Sequence, residues 1–476
     1  MGLTKEQQCV IDTLLSNDDG RIVAVNSVAG SGKSSTARAL VEVYKPKNGF
    51  LFAFNKAIIE DTKKKMGGLI NCSTIHSLAH KYVKPKKIEE LNYQTITEPI
   101  SYEDKATVIG ILDDFFRSSS DNIHDYARKR CHEDELCDLI AQYANKMLEG
   151  KIPATFNYML KCLHLLLANE QVNIDFDLLI LDECQDTTSV ALEIFKLVNA
   201  KHKIMFGDKY QNIYSFMNTV NAFEELSDLH LLKLTKSFRC NPEIANLVEE
   251  YGQLYLEPNF AFKGNEDIKK TTQTEIAYIT RTNSALIERM QYLLDRGQSF
   301  SLTRNVNEIF ALPIALLNAS RGSAVYDKRY KYLEKEYANY QKVRGSYRNY
   351  FEYITMTTQD QSLENTAKVL ANFANKRINI YDVKERVANM KPNKSVILTT
   401  AHAFKGLEMD TVYIEDDLNN SANRVIERLR AMENPDFGFS QADLRRALST
   451  EQREDLNTYY VGISRAKSTL INHKYH

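Results

Sequence analysis

The stretch Asn26-Ser-Val-Ala-Gly-Ser-Gly-Lys-Ser34 limits this chain's possible folds more than any other. A β-like run, Arg21 to Val25, leads into it, and a helical pattern with Ala37, Leu40, Val41 and Tyr44 on one face follows. Strand, Gly-rich loop and helix in that order form the context of a phosphate-binding loop in a parallel α/β sheet. Gly30 and Gly32 let backbone N–H groups, from Ala29 through Ser35, close around phosphate oxygens. The helix that starts there turns its positive end toward the same oxygens. In such a loop Lys33 reaches the β- and γ-phosphates and the Ser34 hydroxyl binds Mg²⁺, with Ser31 and Ser35 completing the cradle. Ser27 departs from the common form, standing where Gly or Ala is usual. A Gly/Ser turn carrying a surface lysine is the plain alternative for the loop taken alone.

A second carboxylate motif argues against that alternative. Phe176-Asp-Leu-Leu-Ile-Leu181 is an apolar run suited to a strand buried on both faces of a parallel sheet. It ends in Asp182-Glu183-Cys184-Gln185-Asp186, at the strand edge where open α/β sheets bind ligands. Asp182 is placed to hold Mg²⁺, and Glu183 to orient and deprotonate an attacking water. Together the two motifs predict hydrolysis of a nucleoside triphosphate, with ATP and Mg²⁺ as the bound species.

At 476 residues the chain exceeds one core, so at least two domains are expected. Hydrophobic content of 43% and charged content of 26% are those of a globular protein. A net charge of −1 gives no support for nucleic acid and does not exclude a local basic groove. No long apolar span or signal-peptide pattern stands out, which predicts a protein of the cytoplasm, nucleoid-associated, or of the nucleus. The seven scattered cysteines match no common metal spacing and read as independent thiols.

Two groups of strand-like segments alternate with helical patterns. The first is 22–25, 50–54, 70–73, 178–181 and 203–206; the second is 231–234, 276–279, 396–399, 411–414 and 469–472. Helix-rich stretches interrupt each group. The expected fold class is therefore α/β, two P-loop lobes with parallel sheets, each carrying a mainly helical insertion. The expected boundaries are 1–90 and 166–228 for the first lobe around an insertion at 91–165. For the second lobe they are 229–284 and 391–476 around a reduced insertion at 285–390. The Tyr/Lys/Arg-rich stretch Tyr326–Tyr353 reads in two ways: a nucleic-acid path, or a solvated helical face over packed tyrosines.

Further stretches fall near the strand ends: Leu3-Thr-Lys-Glu-Gln7, Ala53-Phe-Asn-Lys56, Ser73-Thr-Ile-His-Ser77 and Gly207-Asp-Lys-Tyr-Gln-Asn-Ile-Tyr-Ser-Phe216. Leu234-Thr-Lys-Ser-Phe-Arg239, Thr400-Ala-His-Ala-Phe-Lys-Gly-Leu-Glu408 and Tyr460-Val-Gly-Ile-Ser-Arg-Ala466 complete the set. In this order they resemble the motifs of superfamily 1A helicases of the UvrD/Rep/PcrA type, over nearly the whole chain. The likeness is greatest to the helicase portion of F-box DNA helicases, with no segment left over for an F-box.

The resemblance implies RecA-like lobes and a role for each motif residue. Gln7 reads the adenine edge, Phe238 stacks on the base and Glu408 accepts from the ribose. Gln211 senses the γ-phosphate, which Arg239 and Arg465 approach from the second lobe. Phe54, Tyr214 and Phe216 stack on single-strand bases, and Asn55, His76 and His402 lie near the phosphodiester backbone. Two positions depart from the family: Phe216 replaces the usual tryptophan, and Met217 stands where an arginine is usual. These put the coupling of hydrolysis to DNA in question more than hydrolysis itself.

The implied activity is ATP-dependent 3′→5′ translocation on single-stranded DNA, with unwinding at single-strand/duplex junctions. A monomer acting beside replication or recombination proteins, and no membrane, is the corresponding expectation. Rival readings are a motor that strips proteins from DNA, an RNA motor, and a nucleotide-switched binding protein.

Overall fold

The computed structural model describes residues 2–53, 56–214, 218–269, 275–358, 360–432 and 441–475. The chain divides into two compact units, Met1–Thr235 and Lys236–His476.

In the first unit the strands are β1 (Ile22–Ser27), β2 (Gly49–Ala53), β3 (Asn71–Thr74), β4 (Asp175–Leu181), β5 (Thr187–Thr188), β6 (Asn199–Gly207), β7 (Thr219–Val220) and β8 (Leu229–Leu234). Six of them form one sheet in the order β3-β2-β4-β6-β1-β8, every pairing parallel. The continuous apolar run of β4 follows from burial on both faces. Leu179 and Leu181 join one core with the helices Ile75–Val83, Phe156–Ala168 and Ser189–Leu197. Leu178 and Ile180 join the opposite core with the helices Lys5–Leu15 and Lys33–Tyr44. The period of two along the strand thus divides one hydrophobic run between two layers.

The first helical insertion has a core of its own. Val108, Leu112, Phe116, Ile140 and Tyr143 pack together there, on the helices Tyr102–Arg117 and Asp134–Leu148. Ile88 and Ala154 bridge the two chain segments at its base.

The second unit holds β9 (Ile276–Thr280), β10 (Ser301–Leu302), β11 (Val396–Thr400), β12 (Met409–Ile414) and β13 (Ala466–Ile471) in the all-parallel order β10-β11-β9-β12-β13. The helices of 285–390 share one core with this sheet. Leu286, Met290 and Leu398 lie in the same cluster as Tyr340, Tyr350 and Tyr353. Of the tyrosines in the 326–353 stretch, these three are buried, whereas Tyr326 is 88% exposed and Tyr332 partly so. Packed tyrosines beneath a solvated face is therefore the arrangement found.

One strand was expected in the wrong sheet. The segment 231–234, grouped by sequence with the second lobe, is the edge strand β8 of the first sheet, with Ile22 opposite Leu229 and Ser27 opposite Leu234. The first unit accordingly runs to Thr235, not to 228. Alternation identifies a strand but carries no information about which sheet edge takes it; among the described residues β8 pairs with β1 alone. The short β10 was not foreseen, since two residues carry no period.

Candidate ATP and DNA site

The loop after β1 has the backbone its glycines require. Gly30 and Gly32 have φ of 74° and 81°, in the left-handed region that a side chain disfavours. Gly32 occupies the N-cap of the helix Lys33–Tyr44 without a side-chain cap, so the first-turn N–H groups lack the usual internal partner. Thr36 binds the Gly32 carbonyl through its N–H (2.9 Å) and its hydroxyl (3.0 Å). Ala29 and Ser31 are buried, Ser34 is half-buried and Ser35 exposed. Ser27, the departure from the common form, is fully buried, and its hydroxyl donates to the Val25 carbonyl (3.2 Å), which satisfies it in place.

At the end of β4 the Asp182 N–H donates to the Phe52 carbonyl (3.0 Å), continuing the ladder to β2. Glu183 has φ 53°, a costly conformation for a residue other than glycine. Its Oε1 lies 3.0 Å from Lys33 Nζ, which brings the two sequence motifs together. Burial alone would lower Lys33, but Glu183, Asp182 and Asp208 outweigh it and hold the ammonium above its ordinary range. Burial and the neighbouring Glu183 charge push Asp182 up to about 6, against the pull of Lys33. Two adjacent carboxylates of which one is so disfavoured, with a serine hydroxyl in the facing loop, form a hard oxygen donor set that suits Mg²⁺.

Beyond β6 the chain turns through Gly207-Asp208. Gln211 Nε2 donates to Asp208 Oδ2 (2.8 Å), and the Lys209 N–H donates to Asn26 Oδ1 (3.2 Å), fastening this turn to β1. Gln185, fully buried, occupies the space between this turn and Glu183. Its Nε2 donates to Glu183 Oε2 (2.6 Å) and Asp186 Oδ2 (3.2 Å), and its Oε1 accepts from the Asp208 N–H (3.1 Å). No role was read for Gln185 or Asp208 from sequence. The one available signal was their setting, each within three residues of a predicted catalytic side chain.

Gln7 is the N3 member of a capping box: its Oε1 accepts from the Thr4 N–H (3.0 Å) and its own N–H donates to Thr4 Oγ1 (3.2 Å). The carbonyl oxygen expected at an adenine thus already serves the helix, with one lone pair left over.

Of the residues expected at DNA, Phe54, Asn55 and Phe216 lie outside the described residues. Tyr214 is half-buried, and its carbonyl accepts from Thr219 Oγ1 (3.0 Å). The ribbon of β5 and β7, antiparallel with Thr187 opposite Val220, ties the segment after Asp186 to the segment after Tyr214. His76, on the helix Ile75–Val83, is half-buried and meets Phe156 edge-on at 6.0 Å. Burial lowers its pKa below the ordinary imidazole value, against a hydrogen bond with Asn157 that favours the protonated ring.

In the second unit Arg239, Glu408 and Arg465 converge. Arg239 Nε donates to Glu408 Oε2 (2.8 Å) and its Nη1 to the Ser464 carbonyl (3.2 Å). Lys467 Nζ lies 3.3 Å from Glu408 Oε1. Burial would raise Glu408, but Arg239 and Lys467 hold it below the ordinary carboxylate value. Arg465 is 1% exposed, with Nε donating to the Val461 carbonyl (3.0 Å). Phe238 is half-buried, with Lys236 Nζ 5.6 Å from its ring centroid. His402 Nε2 lies 3.5 Å from Glu454 Oε1, and Glu454 also faces Arg281.

The sequence is similar to those of known proteins. The model of the UvrD-like helicase C-terminal domain matches residues 154–475, and an AAA domain model matches residues 13–217. F-box DNA helicase 1 of Gallus gallus is 24% identical, aligned over 98% of this chain and 49% of its own length. F-box DNA helicase protein 1 of Schizosaccharomyces pombe is 26% identical over 99% of this chain and 57% of its own. A mitochondrial ATP-dependent DNA helicase of Saccharomyces cerevisiae is 26% identical over 48% of this chain and 38% of its own. The chain spans about half the length of the two F-box relatives. With two parallel-sheet units, a phosphate loop facing an Asp-Glu pair and a family match over most of its length, the chain belongs to the UvrD-like helicases.

Proposed function

We propose that this protein is an ATP-driven motor that moves 3′→5′ along single-stranded DNA, unwinding duplex or displacing bound proteins at junctions. The observation that carries this reading is the Lys33–Glu183 pair at 3.0 Å on the edge of the first sheet. It joins a phosphate-binding cation to the base that a hydrolytic water needs.

In this reading the loop from Ala29 to Ser35 holds the phosphates through backbone N–H groups, and Lys33 exchanges Glu183 for the γ-phosphate. Glu183, released from Lys33, takes a proton from water. Ser34 and Asp182 would hold Mg²⁺, which supplies neutralisation of phosphate charge. Gln211 senses the γ-phosphate. Arg239 and Arg465 supply the positive charge that stabilises the transferring group, a task for a planar, always-charged guanidinium. Gln7 and Phe238 take the adenine and Glu408 the ribose, so Arg239 and Glu408 part when nucleotide binds. Tyr214 and Phe216, with Phe54, stack on bases, while Asn55, His76 and His402 follow the backbone. The protein acts as a monomer in the nucleus or nucleoid, beside replication or recombination proteins. The names of the three relatives above, each a DNA helicase, favour DNA over RNA.

Steady-state ATP hydrolysis with oligo-dT, oligo-U or duplex, by wild type and Glu183→Gln, tests the motor. Stimulation by oligo-dT that the variant loses is the expected result; flat activity with every nucleic acid overturns it. Strand displacement on 3′- and 5′-tailed duplexes then tests polarity.

A further inference from the structure

We infer that Gln185 is a positioning residue for hydrolysis, and that its amide couples the general base Glu183 to the γ-phosphate sensor Gln211. The inference rests on the ATPase reading above and deepens it.

The chain of contacts is continuous and lies within the first unit. Glu183 Oε2 accepts from Gln185 Nε2 at 2.6 Å; Gln185 Oε1 accepts from the Asp208 N–H at 3.1 Å; Asp208 Oδ2 accepts from Gln211 Nε2 at 2.8 Å. The orientation of the Gln185 amide is set by its surroundings, because the end facing two carboxylates must be the donor and the end facing an N–H the acceptor. Gln185 is fully buried, so water offers no substitute for either bond.

Its neighbours hold the side chain in this one place. Asn212 Nδ2 donates to the Gln185 carbonyl (2.8 Å), tying its backbone to the turn that carries Gln211. A Cβ on Gly207 would stand 2.5 Å from Gln185 Oε1 and 2.6 Å from Cys184 Sγ, so the glycine leaves the room that the amide fills.

This geometry has a chemical consequence. Glu183 meets Lys33 on Oε1 and Gln185 on Oε2. When phosphate draws Lys33 away, Gln185 remains to fix the carboxylate plane toward the water. A displacement of Gln211 on meeting the γ-phosphate is transmitted through the Asp208 backbone to the same amide. Gln185 thus acts through Glu183 and needs no contact with substrate.

The test uses the full chain and the Gln185→Met variant, similar in length and without either hydrogen bond. We expect kcat for DNA-stimulated ATP hydrolysis to fall at least tenfold, while KM for ATP and the equilibrium affinity for a fluorescent ATP analogue stay within about twofold. A purely packing role would leave kcat per folded molecule unchanged, or move kcat and KM together, and either outcome overturns the inference. A double-mutant cycle of Gln185→Met with Gln211→Met reads the coupling: effects smaller than additive support it, and strict additivity overturns it. Should Gln185→Met not fold, Gly207→Ala displaces the amide from the other side and carries the same kcat-against-KM comparison. Wild type that hydrolyses no ATP under any nucleic acid removes the ATPase reading itself. Active wild type, inactive Glu183→Gln and unaltered Gln185→Met removes this inference alone.

Discussion

Lys33 Nζ and Glu183 Oε1 are 3.0 Å apart, so the cation proposed for phosphate and the base proposed for water occupy each other. Glu183, with Asp182 and Asp208, offsets the burial of the Lys33 ammonium. In the proposed mechanism nucleotide breaks this pair to bind, which makes the pair a competitor of ATP. Glu183→Gln should therefore bind ATP more tightly than wild type while losing turnover. Lys33→Met should lose both, with hydrolysis down by about 10²–10³-fold, the cost of removing one oriented charge-stabilising group. Titration with a fluorescent nucleotide beside single-turnover hydrolysis checks both; equal affinities in wild type and Glu183→Gln would show that the pair does not compete.

Arg239 uses two nitrogens at once, on Glu408 and on the Ser464 carbonyl. A lysine keeps the charge but not the fork. Arg239→Lys should retain ATP binding within a few-fold and lose about 10²-fold or more in kcat, toward the range that arginine fingers supply. A variant with kcat near wild type would reduce Arg239 to a structural ion pair.

Asp417 accepts from the Arg281 and Thr282 N–H groups and from the Thr282 hydroxyl, yet its burial outweighs these donors and pushes it up to about 6. Its pKa is raised on folding, so the native state binds the extra proton between the ordinary value of 3.8 and about 6. Its contribution to stability is full below that window and falls away as pH rises through it, by an amount on the order of 3 kcal/mol. Urea denaturation at a series of pH values should show this slope in wild type and a flatter one in Asp417→Asn. An unchanged slope would assign it to other groups.

Gly252 lies in the helix Pro242–Tyr255, where alanine would ordinarily stabilise by about 1 kcal/mol. Here a Cβ would meet the buried Phe260 ring at 2.0 Å. Overpacking should win, and Gly252→Ala should lose roughly 1–3 kcal/mol of stability, read as a lowered thermal midpoint. A midpoint at or above wild type would show that Phe260 moves aside at little cost.

Where sequence reading succeeded, the information was local. Strand, loop and helix around Lys33 follow from period, glycine placement and the apolar run before Asp182, because backbone sterics and burial act over a few residues. The α/β class and the two parallel sheets follow from the alternation of such segments. Contacts between distant segments were settled otherwise. The edge position of β8, the core shared by the sheet of the second unit with Tyr340, Tyr350 and Tyr353, and the hydrogen-bonded line from Glu183 through Gln185 to Gln211 are pairings between distant segments. A buried amide between two carboxylates and an N–H has no period, and the place of Gln185 within Asp182-Glu183-Cys184-Gln185-Asp186 does not name its partners. Its partners are chosen by which strand ends the sheet order brings side by side, and that choice belongs to packing of the whole unit.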